Sequence, residues 1–201
     1  AAQSGTGLED LLGAFGYTAY TDFYNEQDGT VRVFLDDTST LRLNVSGLVQ
    51  YASTDGSATV SAYDESDITD AAALDAQLDC ARLILDAAQR AGDTDTHASL
   101  YAVERSGEQT TLIFLQMYSG VPVLGDADFA TFVFDGSALR TATIRLQKFQ
   151  PIGGKRTVMP AKQAAAGASG AERGLMAAYR AQDGQLSLIH ISEPTRLRCI
   201  S

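Results

Sequence analysis

Few residues in this sequence could carry a reaction. Nucleophilic catalysis needs a nucleophile, a base and a group that orients the base. The chain holds two histidines and two cysteines. His190 and Cys199 fall in a C-terminal stretch set aside below, which leaves His97 and Cys80. His97 stands in Asp95-Thr-His-Ala-Ser at the start of an expected strand, the place of a surface or structural histidine rather than a base. Cys80 lies mid-helix among apolar residues, where cysteine acts as a small hydrophobe. One thiol cannot close an intramolecular disulfide, so cysteine usage leaves the redox compartment open.

The acids are more numerous. Asp93-x-Asp95-x-His97, with Leu100 at position eight and Glu104 at position twelve, has the ligand spacing of a calcium loop. Position six is Ala98, where the sharp turn of such a loop requires glycine, so no metal site is expected. The run Asp64, Glu65, Asp67 and Asp70 could attract a cation, but helix capping and solvation explain it more simply. Asp36-Asp37 sits at a strand end and reads as a turn. A carboxylate-based hydrolase would draw on acids such as Asp64 or Asp126, whose separation is spatial and not readable from sequence. Gly153-Gly154-Lys155 is too short for a phosphate-binding loop. The formal net charge is −10. Lys148, Lys155, Arg156 and Lys162 form only a loose basic cluster, which argues against nucleic acid as a partner. No catalytic, cofactor-binding or metal-ligating residue is therefore assigned, and no enzyme is expected.

The elements around these residues follow from periodicity. Leu8, Leu11, Leu12 and Phe15 have helical spacing, with Gly16 as the stop. Alternating segments Thr18–Asn25, Thr30–Leu35, Thr40–Val45, Leu48–Ser53 and Ala58–Tyr63 are separated by Asp28-Gly29, Ser46-Gly47 and Asp55-Gly56, which predicts an antiparallel meander. A long helix is predicted over Asp70–Ala91, capped by Thr69 and stopped at Gly92. A second strand series follows: Ala98–Arg105, Thr110–Tyr118, Asp128–Phe134 and Leu139–Lys148. Residues 150–160 read as loop, and Ala161–Ala168 and Ala171–Ala181 as helix. The expected fold is α+β: two helix-plus-antiparallel-meander units, over 1–65 and 66–185, ending in a C-terminal helix.

Residues 186–196, Leu-Ser-Leu-Ile-His-Ile-Ser-Glu-Pro-Thr-Arg, read as a translated sequencing adapter. Leu197, Arg198 and Cys199 take the place of a barcode, and Ile200-Ser201 match the constant bases that resume after it. Residues 186–201 are accordingly expected to be a non-native tail and stay outside the fold reasoning. The start, Ala-Ala-Gln-Ser-Gly-Thr-Gly, reads as the product of removing an upstream signal or anchor. No apolar run reaches membrane-spanning length.

The stretch Leu112–Lys148 carries a recognisable pattern. A strand ends near Tyr118, the bend Gly120-Val121-Pro122-Val123 follows, then a strand, the turn Asp135-Gly136 and a last long strand. Thr40–Tyr51, the acidic spacer with the Ala/Leu-rich helix, and Met159-Pro-Ala-Lys-Gln-Ala164 add to it. Across about residues 15–181 the chain resembles the YycI/YycH-type two-component accessory proteins of Gram-positive bacteria. The resemblance implies a non-enzymatic extracytoplasmic domain, tethered by an N-terminal membrane helix that lies outside this sequence. Its implied partner is a sensor histidine kinase of a cell-envelope pathway or that kinase's accessory protein. The family brings no catalytic motif. PepSY-like domains share the helix-plus-meander logic, so an inhibitor or chaperone domain of a secreted peptidase is the alternative, with the carboxylate hydrolase behind it.

Overall fold

The alternation that marks Val31 to Ser53 buries one side of each segment and turns the other to solvent, and this sets the frame of the molecule. The computed structural model describes residues 5–26, 29–54, 59–64, 69–94, 97–125, 127–149, 175–182 and 185–192. Helix α1 (Gly5–Ala14) is followed by strands β1 (Phe23–Glu26), β2 (Val31–Leu35), β3 (Ser39–Asn44) and β4 (Leu48–Ser53). Helix α2 (Asp70–Gly92) comes next, then β5 (His97–Ser106), β6 (Gln109–Tyr118), β7 (Val121–Leu124), β8 (Ala130–Asp135) and β9 (Ala138–Arg145). Strands β10 (Leu175–Gln182) and β11 (Gln185–Ser192) are the last elements described.

All eleven strands belong to one sheet. Strands β1, β2, β3, β4, β9, β8 and β6 lie side by side, each antiparallel to its neighbours. Strand β5 covers one edge of β6 along its length. Strand β8 pairs with Gln109–Phe114 on the other edge, and β7 takes over there at Gln116–Tyr118. A small leaf continues from β7 to β10, the one parallel pairing, and on to β11.

This overturns the expectation of two helix-plus-meander units. The two meanders merge where β4 pairs with β9, from Leu48 opposite Arg145 to Ala52 opposite Thr141. Separate meanders would leave β4 and β9 as open edges with unpaired backbone groups. Joining them satisfies those groups and sets Val49, Tyr51, Ala142 and Ile144 on one buried face. Alternate residues, such as Arg42, Gln50 and Thr143, point to the other face. Both helices pack against each other, and both supply the same core. Leu11, Leu12 and Phe15 meet Ile84, Leu85 and Ala88 over Phe114, Phe132 and Ile144.

The end of α2 also differs from expectation. Gly92 is still helical, and Asp93 takes the left-handed cap conformation at φ 48°. Gly92 packs closely on Leu146 instead: an added Cβ would lie 3.0 Å from Leu146 Cδ1, and that side chain would have to give way. The Ala58–Tyr63 strand shrinks to a single bridge, Ser61 opposite Ala138. The Thr18–Asn25 strand starts only at Phe23, because Thr18 to Thr21 form a turn closed by Thr21 N–H donating to Thr18 O.

The C-terminal helix is a second correction. The Ala-rich run within Ala171–Ala181 reads as helix by propensity, yet Leu175–Gln182 is strand β10, with β7 on one side and β11 on the other. Strand partners on both edges override a weak local preference. The expected helix Ala161–Ala168 and the loop 150–160 lie outside the described residues, as do Asp28, Asp55 and Gly56 of the expected turns. Residues 186–192, expected to be adapter-derived, are drawn into β11. Leu-Ser-Leu-Ile-His-Ile-Ser has strand-forming composition whatever its origin. Strand β10 meets the main sheet through only two register pairs, Tyr179 with Val123 and Arg180 with Leu124. A chain ending at Gln185 is therefore expected to keep its stability within about 0.5 kcal/mol. Urea unfolding followed by circular dichroism checks this, and a larger loss would make the tail part of the fold. No described helix is long and apolar enough to cross a membrane.

Candidate functional site

The residues singled out by chemistry do not converge. His97 opens β5 and is exposed. Cys80 is partly buried on α2, and burial pushes its thiol up to about 11, so it stays protonated and unreactive at neutral pH. Asp93 is 96% exposed at its side chain and receives Lys148 Nζ at 3.0 Å. Glu104 lies seven residues along β5 from His97, roughly 23 Å for an extended chain, so the calcium-loop spacing cannot close around one ion. Asp64 and Asp70 are exposed. Glu65, Asp67, Asp95, Asp126, Gly153, Gly154, Lys155, Arg156 and Lys162 lie outside the described residues. Among the described residues, no three His, Cys, Asp or Glu side chains gather at one point.

The Asp36 turn is the largest polar assembly. Its Oδ1 accepts from the backbone N–H of Thr38 at 2.8 Å and of Ser39 at 2.6 Å, and from the Thr38 and Ser39 hydroxyls at 3.0 Å. Its Oδ2 accepts from Thr59 Oγ1 at 3.3 Å. Burial works to raise the Asp36 pKa, but these donors outweigh it and hold the carboxyl below its ordinary range. Ser39 is fully buried, and its Oγ lies 2.7 Å from the Tyr17 hydroxyl. Burial pushes the Tyr17 phenol up to about 12; the Ser39 bond opposes this and the Asp36 charge adds to it. Tyr51 places a buried hydroxyl beside Ser39 and Thr59 without a hydrogen bond of ordinary geometry, and burial raises its pKa. The assembly ties the segment after α1 to the β2–β3 turn and to Thr59. Ser39 has no route to a substrate, so the arrangement holds structure rather than reacting groups. The Asp-x-Thr-Ser string is the sequence signal for it, since Asp side chains fold back onto nearby backbone N–H groups in turns.

Two clefts flank the C-terminal half of α2. The smaller, about 340 Å³, lies between α2 and β5 and is lined by Asp86, Gln89, His97 and Ser99. It brings together the residue types of a serine hydrolase, yet no hydrogen bond links His97 to Ser99 or Asp86 among the described residues, and all three are exposed. The larger, about 650 Å³, is bounded by the end of α2, the β3–β4 turn and the end of β9. Gly47 makes that turn possible at φ 92°, where an added Cβ would lie against Leu146 O.

Strand β1 ends the sheet, with β2 as its one partner. Leu35 N–H donates to Asp22 O at 3.3 Å, which makes Asp22, Tyr24 and Glu26 the residues bonded to β2. By the antiparallel alternation, the backbone N–H and C=O of Phe23 and Asn25 point away from the sheet. Tyr20 is 95% exposed and Phe23 51%, with Tyr24 exposed beside them. Phe23 leans on Phe34 at 5.4 Å between ring centres, and the Arg32 guanidinium sits 4.9 Å over its ring. Among the described residues β5 and β11 are edges as well; β11 is paired only with β10, and on β5 a bulge between Leu100 and Ala102 and the charges Glu104 and Arg105 blunt the edge.

No known protein family and no curated protein sequence matches this chain. The open edge of β1 carries three exposed aromatic rings, of Tyr20, Phe23 and Tyr24. Among the described residues, the Asp36 assembly and the two clefts bring together no nucleophile, base and orienting group in contact. The open edge was not visible in the sequence, because which strand ends a sheet is set by pairing across the whole chain.

Proposed function

We propose that this chain is a regulatory binding module that docks another protein by strand addition at β1. The observation that carries the reading is the outward-facing backbone of Phe23 and Asn25, flanked by the exposed rings of Tyr20, Phe23 and Tyr24. Main-chain hydrogen bonds would supply affinity and the aromatic rings specificity. The resemblance to YycI/YycH-type accessory proteins makes the extracellular segment of a sensor histidine kinase the first partner to test. The same resemblance supports a location outside the cytoplasm, at the membrane.

Proline at Asn25 separates docking from folding. The Asn25 N–H faces away from β2, so its removal costs the sheet no ladder bond, and edge strands tolerate proline at such positions. Asn25→Pro is expected to weaken binding to the kinase's extracellular segment about tenfold or more, the loss of one or two main-chain hydrogen bonds, with the unfolding midpoint nearly unchanged. Tyr20→Ser should weaken binding as well, since the ring packs on nothing within the fold. Titration calorimetry with both variants checks this. Unchanged affinity in both, or no binding by the parent chain, would overturn the reading.

A further inference from the structure

The larger cleft is lined by no residue of β1, though its Arg32 also sits over the Phe23 ring, and its charge is opposite to that of the chain. The sequence carries 25 acidic and 15 basic side chains, a net charge of −10. Yet among the described residues Arg32, Arg90 and Lys148 line this cleft against a single carboxylate, Asp93. We propose that the cleft is a binding site for a small organic anion, one or two carboxylates on a short apolar body. Its volume of about 650 Å³ falls within the range of small-molecule sites. A concave, low-dielectric wall focuses the field of the cations it holds, even on an acidic protein.

The present partners of these cations are weakly held. Arg90 meets Asp10 at 3.4 Å with both side chains more than half exposed. Lys148 meets Asp93, which is almost wholly in solvent. Exposed pairs of this kind contribute little, so a ligand carboxylate can recruit the cations at small cost. The C-terminal end of a helix ordinarily repels anions. Here the Asp93 and Thr94 N–H groups cap Arg90 O and Gln89 O, and Arg90 itself stands in the last turn, which offsets that field. Leu43, Val45 and Leu146 form the apolar wall, with Val45 open to solvent. The Thr94 hydroxyl is buried in the lining with no hydrogen-bond partner among the described residues, an open donor for a ligand oxygen.

The test is a two-dimensional amide NMR titration of the full chain with glutarate, hexanoate and inorganic phosphate, and with hexylamine as the cationic control. Saturable shifts of the Gly47, Asp93, Thr94 and Leu146 amides with glutarate or hexanoate are expected. Arg32→Gln with Lys148→Gln should weaken that binding about tenfold or more, and Arg90→Gln alone should weaken it too. All three side chains are exposed, and the dispersion of the spectrum reports that each variant is folded. No saturable shift with either carboxylate, equal affinity in the double variant, or equally tight binding of hexylamine would overturn the proposal. Saturation by phosphate but by neither carboxylate would overturn the assigned ligand class. Tyr20→Ser should leave the glutarate shifts unchanged, since Tyr20 does not line the cleft, which keeps this site separate from docking.

Discussion

Phe132→Ala is expected to cost about 3–5 kcal/mol and to lower one cooperative unfolding transition for both halves of the sheet. Phe132 is fully buried on β8 and meets Phe114 edge-on at 5.8 Å. Truncation removes a whole ring from a core that cannot close over the gap, so a cavity cost adds to the lost transfer free energy. Against a total stability of about 5–15 kcal/mol, the variant is left marginal. The diagnostic part is what else unfolds. Phe132 belongs to the second strand series, whereas Tyr17 and Tyr51 report on the first. The β4–β9 pairing and the shared core of α1 and α2 couple them. Near-ultraviolet tyrosine signals and far-ultraviolet circular dichroism should therefore shift together in urea, with one midpoint. Two transitions, of which only one responds to the substitution, would restore separate units and refute the single sheet.

How far the fold was legible follows from where its determinants lie. The helix α2 was readable because its signals are local: Thr69 accepts from Ala72 N–H, and Ala81, Ile84, Leu85 and Ala88 are buried at helical spacing. Strands β2 to β4 were readable from alternation, though the pattern overran the end of β3, where Val45 is 75% exposed. The junction of β4 with β9 was not legible. Leu48 and Arg145 are far apart in sequence, and each segment alternates equally well as a sheet edge or a sheet centre. The same limit explains β10. Its alanines favour helix locally, and only the pairing with Val123 and Leu124 makes the segment a strand. Of the polar features, the turn at Asp36 was legible and the assembly around it was not, since Tyr17 and Thr59 reach it from about twenty residues on either side. The open edge of β1 and the cation-lined cleft depend on neighbours supplied by the whole topology.

The second large effect is expected at Asp36. Asp36→Ala should destabilise the chain by about 2 kcal/mol, because it strands the buried Ser39 donors that the carboxylate accepts. The figure is set near the lower end for a charged acceptor because Asp36 itself is partly open to solvent. The pH dependence gives the sharper test. The folded carboxyl titrates below its ordinary value of 3.8, burial being outweighed by the Thr38 and Ser39 donors. On lowering the pH, the unfolded chain takes up this proton first, which favours unfolding. The contribution is therefore complete above about pH 4 and is lost as pH falls through the folded value. Tyr17 works at the other limit. Its phenol is raised from 10.0 to about 12. The unfolded chain releases that proton first, so this contribution is intact below pH 10 and is lost between the two values. Urea midpoints of the parent chain and Asp36→Ala, measured from about pH 6 down to about pH 3, should converge as the carboxyl is protonated. A gap that stays constant over that range would show that the side chain matters for its shape and not for its charge.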